Sequence, residues 1–173
     1  MIDTTPIASI IISNEADKAI MKEAEKVLVE YNIPFEVIIL KPELVEQEIA
    51  KYATNAYSKG IRVIIAGSAG NFDFITAVAN GIAIPVVGVP MRSTTSANNL
   101  ESVFTKLQQP LSSAIATVAL DSGQNAGILA VQILATNDAN LTNQILNFKE
   151  NLKTKILKAN EEMSEIKFDY RTN

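Results

Sequence analysis

The stretch RVIIAGSAGNFDFITAVANGIAIPVVGVP, residues Arg62 to Pro90, decides the fold of this chain. It opens with an apolar run, Val63 to Ala66, which is followed by Gly67-Ser68-Ala69-Gly70 and a helix-length amphipathic segment. A second apolar run, Ile84 to Val89, ends at the proline. Apolar runs bounded by glycine or proline are typical of strands buried on both faces. A helix between two such strands predicts a parallel βαβ unit.

The same alternation of apolar runs and amphipathic segments extends outward from this unit. It predicts further strands near 7–12, 35–40 and 115–120, helices near 15–31, 44–56 and 125–135, and a long C-terminal helix from 141 to about 158. Residues 91–99 are predicted to form a polar site loop, and 100–107 a short helix. We therefore expect an α/β fold, a three-layer αβα sandwich with a doubly wound, mainly parallel, flavodoxin-like sheet of about five strands. Residues 1–160 are predicted to form one domain and 161–173 a charged, frayed tail.

The composition excludes several kinds of chemistry. The 173 residues are 47% hydrophobic and 20% charged, with a net charge of −4, which argues against binding to nucleic acid or to an anionic membrane surface. The absence of cysteine excludes disulfides, thiolate metal sites and cysteine nucleophiles. The absence of histidine leaves carboxylates, lysine, tyrosine or water as the only proton-transfer groups. We expect no metal and no cofactor, and, without a signal peptide or membrane-length apolar run, a cytoplasmic protein.

A ligand site is expected at the carboxyl edge of the sheet, where folds of this kind bind their ligands. Gly67-Ser68-Ala69-Gly70 does not match the dinucleotide fingerprint, and the chain contains no P-loop. We expect this edge to hold the only substantial pocket. Its predicted lining is Ser13, Asn14, Asp17, Lys41, 67–73, 90–96 and 121–123.

Five sequence pieces, in their order along the chain, resemble one family. They are VIIAGSAG (63–70), IPVVGVP (84–90), QQP (108–110), ATVAL (116–120) and NAGILAVQILA (125–135). The chain is similar over residues 7–151 to the PurE family, the catalytic subunit of phosphoribosylaminoimidazole carboxylase, also called carboxyaminoimidazole ribonucleotide mutase. The resemblance implies an αβα domain, a homo-octamer, and carboxyl transfer onto an aminoimidazole ribonucleotide in purine synthesis.

The chain departs from this family at the site. The family's Gly-Ser-x-Ser-Asp turn, which holds phosphate and ribose, reads SNEAD over residues 13–17, so only Asp17 matches. The family's Ser-Ala-His-Arg reads KPEL over 41–44, and its Gly-Gly-x-x-His-Leu-Pro-Gly reads AGNFDFIT over 69–76. The retained framework and altered site indicate a diverged paralogue.

Asp73 and Glu43 are the catalytic candidates, because both stand at positions where the resemblance implies a histidine. A carboxyl group partly buried beside Phe72 and Phe74 would have a raised pKa and could transfer a proton. The structural alternatives are that Asp73 is the N-cap of a helix beginning at Phe74, and that Glu43 is an ordinary acid at a helix start.

The candidate substrate-binding residues follow the predicted strands. They are Ser13, Asn14, Asp17, Lys41, Gly67, Ser68, Ala69, Gly70, Arg92 and Ser93. Asp17 could bind a ligand hydroxyl or serve as an acid in a first helical turn, and Arg92 could bind an anion or face solvent. Gly67 and Gly70 could let a ligand approach the backbone closely, or they could be required only by the turn between strand and helix.

Three functions stay open from the sequence. The first is an enzyme of the family's type with a rewritten site and a reduced or changed activity. The second is a non-catalytic paralogue that binds a small anion or nucleotide, and the third is an oligomeric interaction protein. The expected partners are a small anionic or nucleotide-like ligand and copies of the same chain in an octamer, because the last two helices carry excess apolar surface.

Overall fold

The computed structural model describes residues 5–92 and 114–164, and these form an α/β protein. The chain divides into two compact units, Met1–Leu134 and Ala135–Asn173. The first unit contains the β-sheet. The single domain over residues 1–160 stays a prediction.

The sheet is parallel throughout the described residues. Its strands are β1 Ala8–Ile12, β2 Phe35–Ile39, β3 Val63–Ala69, β4 Val86–Met91 and β5 Ala116–Thr117. They lie in the order β2-β1-β3-β4-β5, and every neighbouring pair runs parallel. The chain therefore builds the sheet first to one side of β1 and then to the other. This confirms the doubly wound sheet and puts its switch point between β1 and β3.

Helices cover both faces of the sheet. They are α1 Lys18–Glu30, α2 Val45–Ala56, α3 Phe72–Asn80 and α4 Gly123–Ala135, and 3₁₀ turns at Glu15–Asp17 and Pro42–Leu44 lead into the first two. On one face α2 and α3 pack over the sheet in a core that includes Ile11, Ile64 and Phe74. On the other face Met21 of α1 lies against Gly67 of β3.

Two glycines let α4 approach α1 closely. A Cβ added at Gly127 would lie 2.9 Å from Cβ of Val27 and 3.0 Å from the carbonyl oxygen of Ala24. A Cβ added at Gly123 would overlap the carbonyl oxygen of Ile20. The two glycines are four residues apart, so they lie on the same face of α4.

The middle strands run further than the sequence predicts. β3 continues through Gly67, Ser68 and Ala69, because these residues pair with Val89, Pro90 and Met91 of β4. The connection to the next helix is confined to Gly70 and Asn71, and the φ of Gly70, 68°, is in the left-handed region that suits glycine. β5 is shorter than the predicted strand 115–120 and has two residues. Of the predicted loop 91–99, Met91 belongs to β4, and residues 93–99 and the predicted helix 100–107 lie outside the described residues.

Strand β2 lies at one end of the sheet and is only partly covered. Its exposed side chains include Val37 at 37% and Ile39 at 46% of their full surface. These two residues share one face of the strand, because side chains alternate along it. The sheet therefore has an apolar rim at this edge.

The second unit contains the long C-terminal helix α5, Ala139–Ser164, which extends beyond the predicted 141–158 at both ends. It carries exposed apolar side chains. They are Leu146, Phe148, Leu152, Ile156, Leu157 and Met163. Across 5–92 and 114–164, no helix combines the length and the apolar character needed to cross a bilayer.

Candidate functional site

A cavity of about 590 Å³ lies at the carboxyl edge of the sheet. It is lined by the last two residues of β3 and by residues that follow β1, β2, β3 and β4, together with the first turn of α1. They are Ser13, Asn14, Ala16, Asp17, Ala19, Ile20, Pro42, Glu43, Ser68, Ala69, Asn71 and Arg92. The parallel topology brings these turns together, because every strand ends at the same edge.

A directed chain of hydroxyl groups leads from the cavity wall to a buried carboxylate. The Ser13 hydroxyl donates to Oδ2 of Asp17 at 2.8 Å and lies 2.7 Å from the Ser68 hydroxyl. A serine hydroxyl has one proton to give. Ser13 gives its proton to the carboxylate, so Ser68 must be the donor to Ser13. Asp17 and Ser68 are only 3% and 2% exposed, which fixes both groups in place.

Two asparagines of the lining close the turns that carry them. Oδ1 of Asn14 accepts from the backbone N–H of Ala16 at 3.1 Å and caps the 3₁₀ turn before α1. Oδ1 of Asn71 accepts from the N–H of Phe74 at 3.2 Å and caps α3. Asparagine is among the preferred residues at this position.

The prediction that Asp73 caps this helix is therefore wrong. The helix begins at Phe72 rather than Phe74, so Asp73 falls within the first turn and Asn71 takes the cap. Phe72 and Phe74 are buried, but the side chain of Asp73 is exposed and does not belong to the cavity lining. The expected partial burial of this carboxyl group is also wrong.

Arg92 reaches the cavity but is held by an acid from another turn. Its Nε lies 2.7 Å from Oδ2 of Asp121, and its backbone N–H donates to Oδ1 of the same carboxylate at 2.9 Å. Asp121 has a φ of 57°, a left-handed conformation that aspartate tolerates better than most residues do. Its own N–H donates to the carbonyl oxygen of Pro90 at 2.9 Å. One donor of the Arg92 guanidinium, Nε, is thus already hydrogen-bonded, and the negative charge of Asp121 lies beside the group.

The structure brings together part of the predicted site. Ser13, Asn14, Asp17, Ser68, Ala69, Arg92 and Glu43 line the cavity. Other described residues of the predicted site and lining lie outside the cavity lining. They are Lys41, Gly67, Gly70, Phe72, Asp73, Pro90, Met91 and residues 121–123.

The two glycines lie outside the lining for different reasons. Gly67 faces the side chains of Met91 and Met21, so it serves packing between β3 and α1. Gly70 makes the turn after β3, and its N–H donates to the carbonyl oxygen of Met91 at 3.0 Å. Ser93 lies outside the described residues.

Several lining residues are not among those predicted from the sequence. Ala16, Ala19 and Ile20 face the cavity from the start of α1, and Pro42 does so from the turn after β2. Asn71 lies within the predicted range 67–73, but its role as a cap is new. Asparagine just before an apolar helix is the signal that could have indicated it. Within the described ranges, no three carboxylates gather into a group that could hold a metal ion.

The expectation of a single pocket is wrong. A second cavity of about 310 Å³ lies near the opposite edge of the sheet, between the end of α2 and the segment that leads into β4. It is lined by Ala53, Tyr57, Arg62, Gly81, Ile82, Ala83, Ile84 and Pro85. The guanidinium of Arg62 stacks on the Tyr57 ring at 4.2 Å and donates to the carbonyl oxygen of Tyr57 at 2.9 Å.

The chain matches a known protein family over most of its length. The family described as AIR carboxylase matches residues 7–155. The chain is 34% identical over 161 residues to N5-carboxyaminoimidazole ribonucleotide mutase of Thermotoga maritima, covering 93% of this chain and 94% of that protein. It is also 34% identical over 162 residues to phosphoribosylaminoimidazole carboxylase of Schizosaccharomyces pombe, of which it covers 29%.

Solved structures show the same fold. The crystal structure of Treponema denticola PurE superimposes with a TM-score of 0.77 at 14% sequence identity, covering 91% of this chain and 98% of that one. A second structure, a substituted form of PurE2 from Treponema denticola, superimposes with a TM-score of 0.74 at 16% identity. This likeness confirms the α/β, flavodoxin-like architecture.

Proposed function

This chain belongs to the AIR carboxylase family, the PurE family, and from that premise we propose that its carboxyl-edge cavity binds an aminoimidazole ribose compound of purine biosynthesis. One observation carries the proposal. Asp17, the acid that matches the family's first turn, is buried in the cavity wall and accepts a hydrogen bond from Ser13. A fixed carboxylate beside hydroxyl groups is suited to binding the hydroxyls of a sugar.

We further propose that carboxyl transfer on this ligand is absent, strongly reduced or changed. The chain has no histidine, and Asp73, which stands at the family's histidine position, lies outside the cavity lining. Glu43 does line the cavity, but its side chain is exposed. Of the two catalytic candidates, Asp73 and Glu43, Glu43 is therefore the one that remains for proton transfer.

A thermal-shift series tests the binding proposal. We expect at least one aminoimidazole riboside or ribonucleotide to raise the melting temperature, because a ligand at 100 times its Kd adds about 2.7 kcal/mol to the stability. For a chain of this size that is a rise of roughly 5–10 °C. Ser13→Ala should reduce the rise, since it breaks the hydrogen bond to Asp17.

Glu48→Gln is the matched control, because Glu48 lies on α2 outside the cavity lining and pairs with Lys51 on the same helix. It should leave the rise unchanged. If no member of the series shifts the melting temperature at millimolar concentration, the binding proposal fails.

A second candidate is a non-catalytic protein whose assembly is its function, and the exposed apolar side chains of α5 favour it. Leu146, Leu152 and Ile156 are 57%, 49% and 52% exposed in the single chain. Side chains of this size on a helix are normally covered, and a second copy of the chain is the simplest cover. We keep the homo-octamer as the proposed assembly.

Light scattering tests the assembly. We expect one species several times the mass of the 18.7 kDa chain at micromolar concentration. The double substitution Leu152→Glu and Ile156→Glu should dissociate it, because it buries two charges at the proposed contact. Lys158→Glu is the control for added acidity, as Lys158 lies on the same helix but away from the face shared by Leu152 and Ile156. A stable monomer of the unmodified chain would refute the proposed assembly.

A further inference from the structure

The contact between Ser13 and Ser68 follows from the register of the sheet. The ladder pairs Ile12 at the end of β1 with Gly67 of β3, so the next residues along the chain, Ser13 and Ser68, lie side by side. Ser68 is also held from its other side, because it pairs with Pro90 of β4. The Ser68 hydroxyl is therefore carried by a strand that is paired on both sides, which is a more rigid support than a loop.

The Asp17 carboxylate has a weaker backbone support. Asp17 belongs to the short 3₁₀ turn before α1, and its N–H donates to the carbonyl oxygen of Asn14 at 3.1 Å. A 3₁₀ turn has poorer hydrogen-bond geometry than an α-helix, so it holds its side chains less firmly. The hydrogen bond that Oδ2 of Asp17 accepts from Ser13 therefore contributes to the orientation of the carboxylate.

Ser68 determines where the Ser13 hydroxyl points. A serine hydroxyl can rotate and give its single proton to any acceptor within reach. Because the Ser68 hydroxyl donates to the Ser13 oxygen at 2.7 Å, the Ser13 proton is directed away from Ser68 and toward Asp17. Hydrogen bonds in such a chain polarise one another, so the first bond also strengthens the second. Without the Ser68 hydroxyl, the Ser13 proton could turn toward solvent.

This chain of hydrogen bonds ends in a group that only accepts. A carboxylate has no proton to give, so a ligand can satisfy its second oxygen, Oδ1, only with a donor. Asp17 is 3% exposed, and a ligand that covers it without a donor would leave a buried acceptor unpaired, which weakens binding. The arrangement therefore favours a sugar with a free hydroxyl group over one in which that hydroxyl is missing.

We propose that Ser68 is a positioning residue for the sugar of the ligand. Through Ser13 it holds the Asp17 carboxylate where a ribose hydroxyl can donate to it. The proposal rests on the proposed function, which supplies the aminoimidazole ribose ligand, and adds a residue that acts through Ser13 rather than by its own contact with that ligand. Ser68 does so from β3, 55 positions along the chain from Ser13.

Calorimetric titration with probes that differ in the sugar tests the proposal. The probes are 5-aminoimidazole-4-carboxamide ribonucleotide and its 2′-deoxy and 3′-deoxy forms. We expect Ser68→Ala to weaken binding of the ribonucleotide about three- to tenfold, because it removes one hydrogen bond of the chain. At least one deoxy form should bind the unmodified protein more weakly than the ribonucleotide does. Ser68→Ala should change the affinity for that form by less than about twofold.

A double-mutant cycle separates action through Ser13 from direct contact with the ligand. Ser13→Ala already breaks the bond to Asp17, so adding Ser68→Ala should weaken binding by less than a further factor of about two. If Ser68 contacted the ligand itself, the two losses would multiply. Ser68→Cys is a second variant for the buried position, because it keeps a similar shape and a thiol is only a weak donor. It should show the same loss as Ser68→Ala.

Ser9→Ala is the matched control. Ser9 is a fully buried serine of β1, the strand next to β3, and it lies outside the cavity lining. Its substitution should change the affinity for each probe by less than about twofold. If Ser9→Ala weakens binding as much as Ser68→Ala does, the loss reflects a general loosening of the sheet and the proposal is overturned.

Each remaining outcome decides a different point. A loss that is confined to ligands with the free hydroxyl, and is absent in the Ser13→Ala background, supports the proposal. Unchanged binding by Ser68→Ala, losses that multiply, an equal loss for all three probes, or deoxy forms that bind as tightly as the ribonucleotide overturn it and leave the proposed function standing. Failure of the unmodified protein to bind any probe at millimolar concentration overturns it together with the proposed function.

Discussion

Purified protein is expected to interconvert carboxylated aminoimidazole ribonucleotides about 100- to 10,000-fold more slowly than an enzyme with a positioned proton-transfer group. Moving a carboxyl group between an exocyclic nitrogen and a ring carbon requires a proton to leave that carbon and be held nearby. A group with a pKa near the working pH does this best, and the chain contains no histidine. Asp73, at the family's histidine position, is exposed and outside the cavity lining.

The second cause of the low rate is weaker substrate holding. The family's phosphate turn reads SNEAD over residues 13–17 here. The side-chain and carbonyl oxygens of Asn14 accept hydrogen bonds from the backbone N–H groups of Ala16 and Asp17, which are two donors of the same turn. Binding energy from a remote phosphate normally helps to position the reacting centre. Because the two losses affect different steps, Asp73→His alone should not restore the activity.

The interconversion can be followed by absorbance, with Asp73→Asn and Glu43→Gln as paired variants. Asp73→Asn should leave any residual rate unchanged, whereas Glu43→Gln tests the acid that does line the cavity. Turnover within about tenfold of a typical enzyme, abolished by Asp73→Asn, would contradict the predicted loss and make Asp73 the acid–base group.

Gly123→Ala is expected to lower the free energy of unfolding by about 3 kcal/mol or more. The added methyl group would overlap the carbonyl oxygen of Ile20, and backbone atoms cannot rotate away as a side chain can. Either α1 or α4 must therefore shift. The melting temperature should fall by roughly 6–12 °C. Gly127→Ala should cost less, about 1–2 kcal/mol, because its nearest contacts lie at 2.9–3.0 Å.

Thermal and urea unfolding measure both effects at one protein concentration, so that any assembly contributes equally. Gln124→Ala is the matched control, since this exposed position lies beside Gly123 on the same helix and should change the stability by less than about 0.5 kcal/mol. Because alanine normally favours a helix over glycine, helix propensity alone would not make Gly123→Ala destabilising. A Gly123→Ala variant as stable as the unmodified chain would show that α1 and α4 do not pack as closely as described.

The sheet could be predicted because its signal is local. Ile7 to Ile12, Phe35 to Leu40 and the two runs between Arg62 and Pro90 are apolar along most of their length, which is typical of strands covered on both faces. The ends of β3 and β4 could not be predicted in the same way. Ser68 and Pro90 look like turn residues, but they pair with each other in the ladder. Pairing between distant residues overrides the local preference.

The candidate site was predictable in position but not in contacts. Strand order alone puts the turns after β1 to β4 at one edge, so Ser13, Asp17 and Ser68 were expected near one another. The Ser13–Ser68 bond spans 55 positions, and the Arg92–Asp121 bond spans 29. Nothing local in the sequence indicates which acid pairs with which base. The sequence therefore predicts either an anion ligand or a solvent-facing charge at Arg92, and does not indicate its pairing with Asp121.

The apolar rim of β2 makes the fate of a newly synthesised chain depend on how many copies surround it. Val37 and Ile39 stand uncovered at an edge whose outward backbone groups can accept another strand. A chain made alone would present this rim to chaperones and proteases until another surface covers it. The abundance of the protein should therefore rise more steeply than its rate of synthesis. At high concentration the chains cover one another's apolar surface, whereas isolated chains are degraded.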